Sequence, residues 1–220
     1  MSHLKIQSKL SIYKLSILCV FLSSFIFLIW RAKYGFCFND EPFCITLAHR
    51  LFSGDALIAD EWHGTQNFGA VLLPFYSLFR TFASSNEGII LTFRYTYCLL
   101  WFLTCLSVYK TLSSFKFASV KVFLYLILFS PLDYMTLSYT SISLMSSLLI
   151  CCILYIISHQ KIHYSVFYSI LFSVLWIIIV LCSPFMAIGY VAFVITVSVL
   201  YIWKKNHSEN YYFKNLFNIC

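Results

Sequence analysis

The sequence predicts an all-α polytopic membrane protein with about six transmembrane helices and two short interfacial helices in its first outer loop. Three observations carry this. The chain of 220 residues is 61% hydrophobic and 10% charged, with a mean hydropathy of +0.84, a balance outside the range of soluble globular domains. Several apolar runs approach or exceed the roughly 20 residues that cross a bilayer's hydrocarbon core. Finally, basic and acidic residues sort to opposite sides of those runs, as membrane insertion requires.

The first run covers residues 15–30 and follows Lys5, Lys9 and Lys14. A basic start before an apolar stretch also describes a secretory signal, but no small-x-small pattern follows. Trp30-Arg31-Ala32-Lys33 closes the run instead, so it reads as a retained first helix with Trp30 in the outer aromatic belt. Further spans are expected at 89–109, 117–130, 137–157, 166–181 and 185–203. The 117–130 run is short and carries Lys121, whose long stem reaches the cytoplasmic surface. Ser183-Pro184 separates the last two, because proline cannot continue the preceding helix.

Alternating these spans from a cytoplasmic start leaves every lysine except Lys33 inside, while Arg31, Arg50, Arg80 and Arg94 fall on or near the outside. The acids sort the other way: only Glu209 is inner. Both termini are therefore expected in the cytoplasm, with 1–220 forming one transmembrane domain. The net charge of +7 reflects lysines facing an anionic inner leaflet, and no nucleic-acid partner is expected; the partners are membrane lipids.

The long outer loop, 31–88, is patterned. Pro42 suits a first helical turn that Asn39 or Asp40 can cap. Phe43, Leu47 and Leu51 then share a face beside Cys44, Ala48 and Phe52, and Gly54 suits the stop. A second apolar stretch, Phe68–Phe82, contains Pro74 and is too short to span comfortably. It reads as an interfacial or re-entrant helix. Two carboxylates at a membrane surface, Asp40 and Glu41, suit general-base chemistry; the same pair also suits a helix cap. Arg94, about six residues into a span, and Arg80 carry guanidinium groups whose paired donors fit a phosphate, although Arg94 is near enough to the span's end to reach outward. Asp60, Glu61 and His63 combine carboxylate and imidazole as a weak divalent-metal set, against the alternative of a solvated loop. Asp133 follows Pro131 in a tight turn, where aspartate is common for turn reasons. Cys37 and Cys44 share the outer loop and flank the acidic pair, so a bridge there stays open. No Walker loop, dinucleotide fingerprint, zinc-ligand spacing or nucleophile elbow occurs in the sequence.

Asn39-Asp40-Glu41-Pro42-Phe43, Ala48-His49-Arg50-Leu51-Phe52-Ser53-Gly54-Asp55, Leu73-Pro74-Phe75-Tyr76-Ser77-Leu78-Phe79 and Phe93-Arg94-Tyr95 together resemble the N-terminal part of the GT-C superfamily of membrane glycosyltransferases, in the protein mannosyltransferase and aminoarabinose-transferase-like branch. Ser130-Pro131 and Leu181-Cys182-Ser183-Pro184 resemble that family's outer turns. The resemblance implies transfer of a sugar from a polyprenyl-phosphate donor at the outer face of a bacterial plasma membrane. It implies Asp40, with Glu41 beside it, as catalytic base or metal ligand, Asp133 as a second acid, and Arg94 or Arg80 on the lipid phosphate. A divalent metal is the one cofactor it admits. Family members typically have more spans, so the chain is expected to lack their C-terminal part. The competing expectation is a non-catalytic membrane protein, a remnant or a subunit beside a partner membrane protein.

Overall fold

The computed structural model describes residues 2–35, 40–56, 59–60, 65–129, 135–159 and 166–205; the side chains of 2–14, 40, 116–117, 201 and 203–205 are outside that description. Within it the chain is helical, with no strand. The helices are α1 (Ser2–Arg31), α2 (Asp40–Phe52), α3 (Phe68–Phe82), α4 (Ile89–Thr111), α5 (Lys116–Leu128), α6 (Tyr139–His159), α7 (Val166–Cys182) and α8 (Met186–Lys205), with one 3₁₀ turn at Ser113–Phe115. Two of them, α4 and α6, are long and apolar enough to cross a membrane; the apolar parts of α1, α3, α5, α7 and α8 are shorter.

Several helix ends have local causes. Gly54 follows α2 at φ 104°, and Gly88 precedes α4 at φ 79°, left-handed positions that cost a residue with a Cβ. Pro74 lies inside α3, where it removes one helical donor. Ser183 and Pro184 form the break between α7 and α8. At the start of α6, the backbone N–H of Ser141 donates to the Ser138 hydroxyl (3.1 Å), and that of Ser138 donates to the Ser141 hydroxyl (2.9 Å), a reciprocal cap that satisfies buried donors at the helix start.

The main core joins α1 through α6 and the end of α7 at Cys182, with Trp101, Tyr97, Phe93, Phe68, Tyr76 and Phe123 all essentially fully buried. A second, smaller cluster joins α6 and α7 through Ile150, Ile153, Ile157, Phe172, Leu175 and Ile179. The Trp101 indole donates to the Leu126 carbonyl at 3.0 Å, which ties α4 to α5 and satisfies an otherwise costly buried donor. Outward faces are apolar too. On α1, Leu15, Leu18, Leu22 and Ile26 form an exposed stripe at helical spacing; on α8, Ile188, Val191, Ile195, Val199 and Ile202 form another.

Helices α2 and α3 pack against each other, with Gly69 set close against α2. A Cβ there would stand 2.9 Å from Leu51 Cδ1 and 3.2 Å from the Leu47 carbonyl oxygen. The leucine tip can move, whereas the carbonyl belongs to α2 itself. Gly69→Ala is therefore expected to separate the two helices and cost about 1–3 kcal/mol, read as a lower melting temperature in detergent. An unchanged melting temperature would show the contact to be slack.

Candidate functional site

The end of α1, the starts of α2 and α4 and the end of α5 meet at one end of the molecule. Arg31 Nη1 lies 3.5 Å from the Leu128 carbonyl, which marks the shared end. The centre of the gathering is an ion pair between residues 53 positions apart. Arg94 donates from Nε to Glu41 Oε1 and from Nη2 to Oε2, both at 2.6 Å. Its Nη1 donates to the Ala32 carbonyl just past α1, at 3.1 Å. Glu41 is 0% exposed and Arg94 7%, so the bidentate fork lies inside the protein.

Local sequence explains why α2 brings its carboxylate inward. Glu41, Cys44, Ile45 and Ala48 recur at the spacing of one helical face, and all four are buried. Of the face expected from hydropathy, Leu47 is buried and Phe43 and Leu51 are half-buried, while Cys44 and Ala48, expected beside it, are fully buried; the buried stripe extends past them to Glu41. Glu41 also sits in the first turn of α2, where the helix dipole favours a negative charge. On α4, Phe93 and Tyr97 beside Arg94 are buried. A charge at such a position is costly unless paired and hydrogen-bonded, and Glu41 together with the Ala32 carbonyl meets both needs.

Asp40 opens α2 as the residue immediately before Glu41, so the ion pair fixes its backbone at this end of the molecule. Arg80, on the last turn of α3, is half-buried. Its Nη1 lies 3.3 Å from Asn86 Oδ1, and it pairs with no carboxylate among the described residues. A cavity of about 290 Å³ opens beside these groups, walled by Arg94, Asn86, Gly35, Gly88 and the first turn of α4. Arg94 and Asn86 bring the two polar networks to one space.

Other sequence-predicted residues lie elsewhere. Asp60 accepts the backbone N–H of Ala56 at 2.7 Å, and its own carbonyl accepts Arg50 Nη2 at 2.7 Å. Arg50 Nε also reaches Asp55 Oδ2 at 2.6 Å. Together these close the turn after α2. Glu61 and His63, the rest of the candidate metal set, and Asp133 lie outside the described residues; no cluster of three metal-ligating side chains occurs among the described ones. Cys44 is buried and forms no disulfide among the described residues, and Cys37 lies outside the described residues.

Sequence reasoning missed two features: the pairing of Glu41 with Arg94, and a network built on Tyr76. The Tyr76 hydroxyl, on a residue 0% exposed, contacts His49 Nδ1 at 2.7 Å and Asn86 Oδ1 at 2.8 Å. The first was open to inference, because a charge inside a span seeks a partner and Glu41 shares a face with Ala48. No family model, curated protein or solved structure matches the chain.

Proposed function

We propose that this chain is a glycosyltransferase-like integral membrane protein that takes sugar from a polyprenyl-phosphate donor at the outer face of a bacterial plasma membrane. In this reading α1, α4, α5, α6, α7 and α8 are the six spans, α2 and α3 lie at the outer boundary, and both termini are cytoplasmic. The exposed apolar stripes of α1 and α8 support lipid contact, since soluble surfaces rarely carry such continuous apolar faces.

The observation that carries the reading is the cavity of about 290 Å³ beside Arg94 and Asn86, at the end of the molecule where α2 begins with Asp40. Asp40 is the base: its carboxylate takes the proton of the attacking hydroxyl as the bond from sugar to phosphate breaks. Arg80 holds the departing lipid phosphate, being a guanidinium without a carboxylate partner among the described residues. Arg94 is committed to Glu41, so this pair positions α2 and keeps Asp40 in place. Asp133 is the second acid candidate. A further cavity of about 310 Å³ lies among α3, α4, α6 and α7, walled chiefly by Phe75, Leu103, Ile142, Met145 and Ile178; its apolar walls suit an isoprenoid tail.

Reconstituted protein supplied with polyprenyl-phosphate-linked sugar and an alcohol acceptor should release polyprenyl phosphate above the level of empty vesicles. Arg80→Ala should weaken donor binding about tenfold or more, the loss expected of one charged hydrogen bond to phosphate. One observation favours a second reading, a non-catalytic subunit beside a partner membrane protein: Glu41 is wholly occupied by Arg94. Absence of release and unchanged donor binding in Arg80→Ala would select it.

A further inference from the structure

His49 lies exposed on the last turn of α2, yet its ring is fixed from below. Its Nδ1 is 2.7 Å from the Tyr76 hydroxyl, and the two rings are 5.6 Å apart between centroids. Proton assignment along this chain follows by elimination. Arg80 can only donate, so the Asn86 atom 3.3 Å away is its oxygen. The Tyr76 hydroxyl has one proton and gives it to that same oxygen, at 2.8 Å. Tyr76 therefore accepts from His49, and the neutral imidazole carries its proton on Nδ1. Free histidine prefers the other tautomer. Here Nε2 is left as a bare lone pair directed away from its anchor, on an exposed residue.

Beside it stands a second ring. Phe52, three residues on along the same helix, is 47% exposed, and its centroid is 5.3 Å from that of Tyr76. A buried tyrosine thus carries two rings at the surface, one that in its neutral form offers a hydrogen-bond acceptor and one apolar. We propose that this surface is a sugar-binding subsite, in which His49 Nε2 accepts a hydrogen bond from a hydroxyl and the Phe52 ring receives the sugar's C–H face. It deepens the transferase reading by assigning the place where a glycan acceptor docks, and to that extent rests on it. The pairing of a fixed acceptor with an exposed ring matches the two faces of a pyranose, which offers hydroxyl donors along its rim and C–H groups across its plane. A phospholipid tail would use the phenyl ring but would leave the imidazole nitrogen without a donor.

The test is nitrogen-15 NMR of histidine-labelled protein in lipid nanodiscs, titrated with the methyl glycosides of mannose, glucose, galactose and arabinose. Wild type should show His49 protonated at Nδ1. At least one glycoside should move its Nε2 resonance saturably. Tyr76→Phe, which keeps the buried ring and removes the hydroxyl, should shift the tautomer toward Nε2–H and abolish the sugar response. Phe52→Ala should leave the tautomer intact and weaken the response severalfold. An Nε2–H tautomer in wild type, or a resonance unmoved by all four glycosides, would overturn the proposal. Resonances that move with nanodisc lipid composition and not with sugar would also overturn it and assign the surface to the bilayer. The titration reads binding without turnover, so a missing transfer activity and a missing subsite are separate results.

Discussion

Arg94→Leu is expected to be the most destabilising single change at the end of the molecule where α1, α2 and α4 meet. It would leave Glu41, at 0% exposure, as a buried carboxylate without its two 2.6 Å donors, and the Ala32 carbonyl without its 3.1 Å partner. Breaking a buried pair from one side costs about 3–5 kcal/mol, which for a chain of this size is on the order of 10 °C in melting temperature. Glu41→Leu should cost a similar amount, since it strands the guanidinium. The double variant should lose far less than the sum, because two apolar side chains desolvate cheaply while a lone charge does not. A thermal melt of all four proteins in one detergent measures this. Additive losses would mean that the two residues act independently and that the pair does not dock α2.

Asp40→Asn carries the second large effect, on turnover and not on folding. Asparagine caps a helix as well as aspartate does, so a residue that merely starts α2 tolerates the change. A general base does not, because the amide cannot take a proton; losses of about 10²–10⁴-fold accompany removal of such a group. Release of polyprenyl phosphate should therefore fall by that factor while the melting temperature stays within a degree or two of wild type. Full activity in Asp40→Asn would reduce the residue to a cap. Adjacent carboxylates are assigned opposite duties, one structural and buried, one chemical, and the two variants separate stability from turnover.

Much of this architecture is legible in the chain because its helices are written as local patterns. Phe68–Phe82 falls at the bounds expected from its apolar run, and the span expected at 89–109 extends only to Thr111. Pro42 in the first turn and Gly54 after the last bracket α2 as their backbone preferences dictate. What composition does not reveal is rotation about the helix axis. Hydropathy weighs Phe43, Leu47 and Leu51 heavily and treats Glu41 as a solvent group, so it centres the apolar face of α2 short of the carboxylate, which is in fact buried alongside Cys44 and Ala48 at that face's edge. That error conceals the ion pair, since Arg94 is 53 positions distant and nothing periodic connects them. The Tyr76 network is hidden in part for the same reason: Tyr76, Arg80 and Asn86 are neighbours in sequence, but His49 joins them from α2 only through the packing of α2 on α3.

The most direct test of the whole account is the sidedness of position 40. Asp40→Cys, in a background with the native cysteines replaced, should react with a membrane-impermeant maleimide added outside intact cells, and labelling should not need permeabilisation. Reaction only after the cytoplasm is opened would put the start of α2 on the inner face and contradict both the proposed topology and the proposed chemistry.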